Sequence, residues 1–503
     1  MNRSSTQKIS ESWPQLLIGA LIVSLFVAVV VFPEGFNRAT EAGFSWSVRH
    51  LGFFWQLLTV VLLFATIVVA LSPKGKKRLG AGTPELGYFS WLAIIMSTLL
   101  AGGGIFWSAA EPLYHYQTVP LPLESEPARA TSKALAQSYM HWGFLAWTAL
   151  GTLSIIPLQR VAKKPLLRNR PCALLHGVVP DRFLQGTFGY LIDIAAVFSV
   201  LIGTIGPIGF LGSQLGFIVS EYTPLLNTTT TQLLLISLLA LVYTISAVRG
   251  VKRGIRILSL FNMALCAVFG VLIVMAVSSS QLLDISVGAV GVYSTQFFQM
   301  AFADSSEGWT HSWTHFFWGW FLGYGPIMSI FIFKISKGRS LREIFLTICI
   351  VAPLITNFWF TAIGGSGILM DISSGGAVGQ SLSENGMPAA LTAIIDQTPW
   401  AGLAAAVAIP LIFFFMATTG DSIALSVASV FSKNEDPDKR SRIFWAVSMA
   451  AVAAAVLAVG KEKAVSLFQQ CIVTAAVPVS VLMLGAAIAG VVALLKSKSN
   501  TLD

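Results

Sequence analysis

The chain has 503 residues, of which 55% are apolar and 11% are charged, and its mean hydropathy is +0.75. Because soluble domains carry about 25% charged residues, this composition excludes an ordinary soluble domain and predicts a membrane protein. The net charge of +9 does not indicate nucleic acid as a partner, since the basic residues follow the expected membrane topology.

Twelve stretches of mostly apolar residues have about the 20-residue length that a bilayer span requires. We number them as predicted spans 1 to 12: 14–33, 52–72, 87–109, 134–157, 187–213, 232–248, 256–277, 310–334, 342–366, 400–430, 442–459 and 465–495. The sequence therefore predicts an all-α polytopic membrane protein with about 12 transmembrane helices.

The loops between these spans carry an asymmetric charge. With the N-terminus in the cytoplasm, 26 of the 32 Lys and Arg residues fall on the cytoplasmic side. The six on the outer side are Arg38, Arg49, Arg129, Lys133, Lys461 and Lys463. This distribution follows the positive-inside rule, so we expect both termini in the cytoplasm.

Three spans contain glycine-rich segments that favour a break in the helix. Span 3 carries GGG at 102–104, span 5 carries GTIGPIGFLG at 203–212, and span 8 carries GYGP at 323–326. A glycine in a helix interior costs about 1 kcal/mol relative to alanine, and broken helices in a membrane line cavities or binding sites. Close helix packing through small residues is the alternative.

Aromatic residues are concentrated in spans 4 and 8. Span 8 places four rings at positions i, i+3, i+4 and i+7 of one helical face, namely Phe317, Trp320, Phe321 and Tyr324. Span 4 contains Trp142 and Trp147. A quaternary ammonium has no N–H group, and ring faces attract it by about 0.5–2 kcal/mol each. An interfacial aromatic belt is the alternative for Trp309 and Trp313.

Other kinds of site have little support. The intramembrane carboxylates that we identify are Asp193 and Asp421, which are candidates for a proton site or for structural helix pairing. The six histidines and four cysteines show no metal-ligand spacing, and no Walker-type phosphate loop occurs. We therefore expect no enzyme, no resident metal and no cofactor.

The segment SWTHFFWGWF (312–321) resembles the signature of the betaine/carnitine/choline transporters. Four further segments are similar to that family at corresponding places: FWSAAEPLYHY (106–116), HWGFLAW (141–147), KISKGRSLREI (334–344) and TTGDS (418–422). The resemblance implies a leucine-transporter-type fold, with two extra N-terminal helices (1–80) before two inverted five-helix repeats (81–280 and 281–503). It also implies a homotrimer in the bacterial inner or plasma membrane.

The same resemblance implies roles for individual residues. The aromatic box would hold a quaternary-ammonium or sulfonium substrate with Trp142, Trp147, Trp320, Phe321 and Tyr324. Phe316 and Trp313 would line the outer path, and the backbone of Gly102, Gly103 and Gly104 would form the unwound part of span 3. The candidate cation-site residues are Phe415, Thr418, Thr419 and Met328.

Two departures from the family pattern concern the substrate and the coupling. The last Trp of the signature is Phe321 here, and Leu150 replaces an aromatic residue, so the identity of the onium stays open. Met328 matches a methionine of the sodium-independent carnitine exchangers, in which an arginine, for which Arg256 is the candidate here, replaces a sodium ion. We expect uptake coupled to Na+ or H+, with carnitine/butyrobetaine-type exchange, or a non-coupled channel or sensor, as the alternative.

Overall fold

The computed structural model describes residues 3–80, 82–118, 130–249, 252–304, 308–432 and 437–497. Within these stretches the protein is built from helices and turns, with two isolated β-bridges and no strand. Apolar residues dominate both the interior and the outward faces of the helices. This arrangement fits a bilayer, where each helix satisfies its own backbone hydrogen bonds.

The first eleven helices cover the chain up to residue 274. They are α1 Arg3–Val31, α2 Pro33–Leu71, α3 Tyr88–Leu99, α4 Ala101–Gln117, α5 Ala130–Trp142, α6 Phe144–Ala149, α7 Ile155–Val161, α8 Asp181–Leu184, α9 Thr187–Tyr222, α10 Thr229–Arg249 and α11 Lys252–Val274.

Twelve further helices follow, and three π-helical turns at His311–His315, Thr347–Val351 and Thr361–Gly365 connect some of them. They are α12 Ser279–Thr295, α13 Phe297–Ala301, α14 Gly308–Thr310, α15 Phe316–Ile335, α16 Leu341–Leu346, α17 Ala352–Phe360, α18 Ser366–Ser373, α19 Ala377–Asn385, α20 Ala390–Asp396, α21 Ala401–Val430, α22 Lys439–Gly460 and α23 Ala464–Lys496.

Among the described residues, nine helical stretches are long and apolar enough to cross a membrane, or ten if the bent pair α3–α4 is one span. The prediction of an all-α polytopic membrane protein is thus confirmed. This number of spans is lower than the predicted twelve, and two regions of the chain account for most of the difference. The helices α22 and α23 form one stretch, Lys439–Lys496, interrupted only by the turn Lys461–Lys463. Predicted span 4 is divided into α5, α6 and α7, each too short to cross alone.

Predicted span 3 is broken immediately before the helix that contains its three glycines. Helices α3 and α4 meet at Leu100 and are bent by 65°. The glycines Gly102, Gly103 and Gly104 all belong to α4, and the two bent halves are separated between Leu99 and Gly103. The expectation that these glycines form the unwound part of span 3 stays a prediction.

The other two glycine-rich segments do not interrupt their helices. Helix α9 continues through Pro207, and α15 continues through Pro326, so the predicted breaks in spans 5 and 8 are wrong. Close packing explains these glycines. A Cβ added at Gly209 would lie 2.1 Å from the Phe468 ring, and one added at Gly323 would lie 3.0 Å from Ala476. Both contacts are made by α23, which packs against α9 and α15.

An unpredicted break lies in span 4. Gly143 separates α5 from α6 with φ −94° and ψ −136°, and Gly151, with φ +127°, follows the end of α6. A side chain at Gly151 would be strained by that φ and would approach Ser329 to 2.4 Å. The break therefore changes the chain direction between Trp142 and Trp147.

Helix α15 lies at the centre of the protein. In its most apolar 18-residue window 94% of the residues are buried, against 22% for α1 and 17% for α10. It packs against α9, α23 and α6. Helices α1 and α10 therefore expose most of their apolar surface at the periphery, while the aromatic residues of α15 are held in the interior.

Candidate substrate site

Two tryptophans from separate helices meet in the protein interior. Trp142, the last residue of α5, and Trp320, on α15, have ring centroids 6.1 Å apart and planes at 85°. Phe321 lies parallel to Trp320 at 5.9 Å and 10° and perpendicular to Trp142 at 5.4 Å and 84°. The rings thus form two walls at right angles, an arrangement that offers π faces from two directions.

Gly103 allows these two indoles to approach α4. A Cβ at this position would lie 2.8 Å from Cη2 of Trp320 and 3.1 Å from Cη2 of Trp142. Both distances are shorter than ordinary carbon contacts of about 3.5–4.0 Å. The absence of a side chain at Gly103 is therefore a condition for the observed meeting of the rings.

Trp147 lies beyond the Gly143 break and completes one cleft. Its Nε1 donates a hydrogen bond to Oγ1 of Thr356 at 3.0 Å, which fixes the indole against α17. A narrow cleft, which has no room for a water molecule in this structure, is lined by Leu99, Leu100, Trp142, Ala146, Trp147, Leu150 and Phe321. The α3–α4 bend, the two span 4 tryptophans and α15 thus contribute to the same space.

Tyr324 and Trp320 are anchored to α9. Nε1 of Trp320 donates to the carbonyl oxygen of Gly203 at 3.2 Å, and the Tyr324 hydroxyl is 2.8 Å from Oγ1 of Thr204. The two rings lie 6.5 Å apart at 75°. Tyr324 therefore continues the aromatic group away from the cleft, and its hydroxyl is already used by α9.

The two predicted outer-path residues also belong to the aromatic interior. Phe316 stacks on Trp320 at 5.4 Å and 27°. Trp313 lies 4.8 Å from Tyr114 and 4.6 Å from His115 between ring centroids. The aromatic residues therefore extend from Trp313 along α15 to the walls formed by Trp320.

Sequence reasoning missed a carboxylate beside Trp142. Nε1 of Trp142 donates to Oε2 of Glu111 at 2.8 Å. Nδ1 of His141 is 2.7 Å and Nε2 of His115 is 3.3 Å from Oε1 of the same group, and all three side chains are fully buried. Predicted span 3 ends at residue 109, before Glu111, although the i, i+4 spacing of Glu111 to His115 places both on one helical face.

The three groups Glu111, His115 and His141 form a hydrogen-bonded cluster. Their ligand atoms lie within 4.8 Å of one another, as those of a metal site do. Two ligand atoms on a tetrahedral ion with bonds of 2.0–2.1 Å would be about 3.3 Å apart, whereas the contact from Glu111 to His141 is 2.7 Å, the length of a hydrogen bond. The observed geometry thus fits a shared proton better than an ion.

The candidate cation residues Phe415, Thr418 and Thr419 lie buried on α21. Oγ1 of Thr418 accepts a hydrogen bond from Nδ2 of Asn262 at 2.8 Å and donates to the carbonyl oxygen of Phe414 at 2.7 Å. Thr419 donates to the carbonyl oxygen of Phe415 at 3.0 Å. These hydroxyl and carbonyl oxygens are ligand types that suit a hard cation, and α21 packs against α3 and α4.

The remaining candidates for the coupling site lie elsewhere. Met328 is fully buried on α15. The surroundings of Gly102 and the side chain of Arg256 lie outside the part of the chain that the structure describes at side-chain level. The substitution pattern of the exchangers therefore stays a prediction.

The two carboxylates singled out in the sequence have different environments. Asp193 is paired with Nε of Arg170 at 2.6 Å and accepts from the backbone N–H of Cys172 at 2.8 Å. Asp421 accepts from Ser246 at 2.7 Å through Oδ2. Asp193 thus joins α9 to the preceding loop, which supports the structural alternative for this residue.

Comparison with known proteins identifies the family of this aromatic site. The sequence profile described as "BCCT, betaine/carnitine/choline family transporter" matches residues 15–499. The chain belongs to this family. It is therefore related to membrane transporters and not to enzymes.

Several relatives of the family are similar over nearly the whole chain. The glycine betaine transporter 2 of Vibrio parahaemolyticus is 37% identical over 475 residues, which cover 94% of this chain and 88% of the relative. The ectoine/hydroxyectoine transporter of Virgibacillus pantothenticus is 25% identical, with 96% of each chain covered. The betaine/ectoine transporter LcoP of Corynebacterium glutamicum is 28% identical, with 93% of this chain and 75% of the relative covered.

Proposed function

We propose that the protein is a secondary active transporter that takes up a quaternary-ammonium compound of the glycine betaine, carnitine or choline class. The observation that carries this proposal is the right-angled meeting of Trp142 with Trp320 and Phe321 beside the cleft. Ring faces from two directions attract a methylated cation that offers no hydrogen-bond donor. The names of the relatives, which include two betaine transporters, support the same substrate class.

Transport by alternating access suits the position of the cleft. It lies next to the α3–α4 bend and the Gly143 break, and broken helices at a binding site are a feature of transporters with inverted repeats. We include in the proposal the leucine-transporter-type arrangement, with 1–80 before the repeats 81–280 and 281–503. The proposal also includes a homotrimer in the inner or plasma membrane, with both termini cytoplasmic.

We further propose that uptake is coupled to Na+, with Thr418 and Thr419 among its ligands. Their hydroxyls lie on a helix that packs against both halves of the bent span. A cation at this position would connect α21 to α3 and α4, so that ion binding and substrate binding would favour the same arrangement of the bend.

Uptake into proteoliposomes tests the function. The purified protein is reconstituted and supplied with glycine betaine, choline, carnitine and a sulfonium analogue, with and without an inward Na+ gradient. We expect saturable accumulation of at least one onium that requires the gradient. Accumulation that depends only on preloaded counter-substrate would replace symport by exchange, and flux without saturation or accumulation would contradict a carrier.

A further inference from the structure

The cluster behind the aromatic box contains an ionisable carboxyl group, which the box itself lacks. Trp142 presents its ring to Trp320 and Phe321 and its Nε1 to Glu111. Glu111 is fully buried, and a buried carboxylate acts over a longer range than one in water because the surroundings screen it less. The Trp142 indole is thus in direct contact both with the carboxyl group and with the rings of the box.

The hydrogen bonds determine where the protons of the cluster lie. The indole Nε1 is a donor only, so Oε2 of Glu111 accepts from Trp142. Nε2 of His141 lies 3.0 Å from Nε2 of Gln137 and 3.0 Å from Oγ1 of Thr314. With the Gln137 amide oriented so that its nitrogen donates, His141 accepts at Nε2 and carries its proton on Nδ1, from which it donates to Oε1 of Glu111.

His115 completes the set as a neutral donor. Its Nε2 faces Oε1 of Glu111 at 3.3 Å, and its Nδ1 has no hydrogen-bond partner among the described residues. A second N–H at Nδ1 would be buried without an acceptor, which is costly. With two neutral imidazoles, the cluster has a charge of −1 when Glu111 is ionised and a charge of zero once the cluster binds one further proton.

We propose that Glu111 is the buried counter-charge of the aromatic box, and that a proton bound to the Glu111–His141 pair and an onium cation bound in the box oppose each other. This inference rests on the proposed function. The additional proton binds at Nε2 of His141 when the Gln137 amide turns to present its Oε1, which has no other partner among the described residues, and the bond from Trp142 to Oε2 is kept. The charge of the cluster changes to zero while the walls of the box keep their positions.

The neighbouring helices contribute no other charge to the described contacts of this pair. The titratable groups in contact with Glu111 are His115 from its own helix and His141 from α5. Helix α5 also brings Ser138 and Trp142 to the carboxyl group, and the π-helical turn before α15 brings Thr314 to His141. Lys133 lies eight residues before His141, about 12 Å along α5.

The competition between the proton on the Glu111–His141 pair and the onium cation in the box affects the choice of substrate. A ligand with one positive charge, such as choline, gains the full attraction of an ionised Glu111. A zwitterion such as glycine betaine gains less, because its own carboxylate is repelled. By reciprocity, if a bound ligand lowers the affinity for a proton, a bound proton lowers the affinity for that ligand by the same factor. Acidification therefore lowers the affinity for choline more than the affinity for glycine betaine, and Glu111 acts as a specificity-determining positioning residue.

The test measures binding to the purified full-length protein by intrinsic tryptophan fluorescence, at constant Na+, from about pH 8 to about pH 5. For the unchanged protein we expect the Kd of choline to rise about tenfold on acidification and that of glycine betaine to rise less than about threefold. This comparison needs no variant. Equal pH profiles for the two probes would overturn the counter-charge.

The variant Glu111→Gln keeps the size of the side chain and an acceptor for Trp142. We expect it to bind choline about tenfold more weakly at neutral pH, with a flat pH profile and a nearly unchanged Kd for glycine betaine. Asp371→Asn is the matched control, since Asp371 is a buried carboxylate on α18 that accepts from the backbone N–H of Gly379 at 2.6 Å. We expect this control to keep both the ratio of the choline Kd to the glycine betaine Kd and the pH dependence of that ratio.

The outcomes separate this inference from the proposed function. An unaltered choline Kd and pH profile in Glu111→Gln would show that the carboxylate acts only in packing, and would overturn the counter-charge alone. If the unchanged protein binds neither choline nor glycine betaine at any pH, the proposed function is overturned and this inference with it.

Discussion

Trp142 and Glu111 are joined by a hydrogen bond of 2.8 Å in which the indole donates. This bond holds the Trp142 indole with its N–H group directed at Glu111. The same orientation places its plane at 85° to that of Trp320. The position of one box wall is therefore determined from α4 as well as from α5.

Two substitutions of Trp142 distinguish the contribution of its ring from that of its N–H group. Trp142→Leu removes both, and we expect saturable onium uptake to be lost. Trp142→Phe keeps a smaller π face but leaves Glu111 without that donor, so we expect a KM increase of about tenfold or more, from about 1–2 kcal/mol of lost attraction and orientation. Initial rates of uptake in proteoliposomes measure both effects, and normal uptake by Trp142→Leu would contradict the assignment of the box.

Gly103→Ala tests the close contact between α4 and the two indoles. The new Cβ would lie 2.8 Å from Trp320 and 3.1 Å from Trp142, so the rings must move. We expect a loss of substrate affinity of about tenfold or more. Gly291→Ala on α12 is the matched control, because nothing lies within 4 Å of its added Cβ. That change should leave transport intact and stabilise the helix by up to about 1 kcal/mol.

Tyr324→Phe removes only the hydroxyl that faces Thr204 at 2.8 Å. We expect a loss of about 1 kcal/mol of stability, since one buried hydrogen bond disappears, and a KM close to that of the unchanged protein because the ring face remains. Thermal unfolding and uptake are measured on the same preparation. A large increase in KM with unchanged unfolding would indicate that the hydroxyl contacts the substrate.

Thr418→Ala tests the proposed sodium coupling. Its hydroxyl lies between Asn262 and the carbonyl oxygen of Phe414, and its removal should raise the Na+ concentration for half-maximal uptake by about tenfold. Ser429→Ala is the control on the same helix, since the Ser429 hydroxyl only donates to the carbonyl oxygen of Leu425. An equal Na+ dependence of Thr418→Ala and the unchanged protein would contradict a role for this hydroxyl.

The ion pair between Arg170 and Asp193 is expected to contribute to stability alone. Asp193→Ala leaves the Arg170 charge without its partner in a buried place, at a cost of about 3–5 kcal/mol. Lys164→Ala removes the ion pair between Lys164 and Asp181, whose side chains are 42% and 32% exposed, respectively. This change should lower the stability by about 1 kcal/mol or less. Unfolding temperatures in detergent distinguish the two. Equal temperatures would contradict the assignment of Asp193 to structural pairing.

The box residues show which features of the site the local sequence predicts and which it does not. The helical spacing from Phe317 to Tyr324 predicted one aromatic face on span 8, and the structure brings Trp320 and Phe321 to Trp142 as expected. The same local information failed for the breaks. Glycine and proline in α9 and α15 allow close packing as well as unwinding, and only the neighbouring α23 decides which of the two occurs.

Composition, the lengths of apolar stretches and the spacing of aromatic residues by themselves determined a polytopic helical membrane protein with aromatic residues in its interior. These properties depend on residues close together in the chain and on transfer from water to lipid. The tertiary structure alone decided that Glu111, His115 and His141 share one buried place behind Trp142. The reason is that Glu111 and His141 are 30 residues apart, and their meeting depends on how α4 packs against α5, which no local pattern encodes.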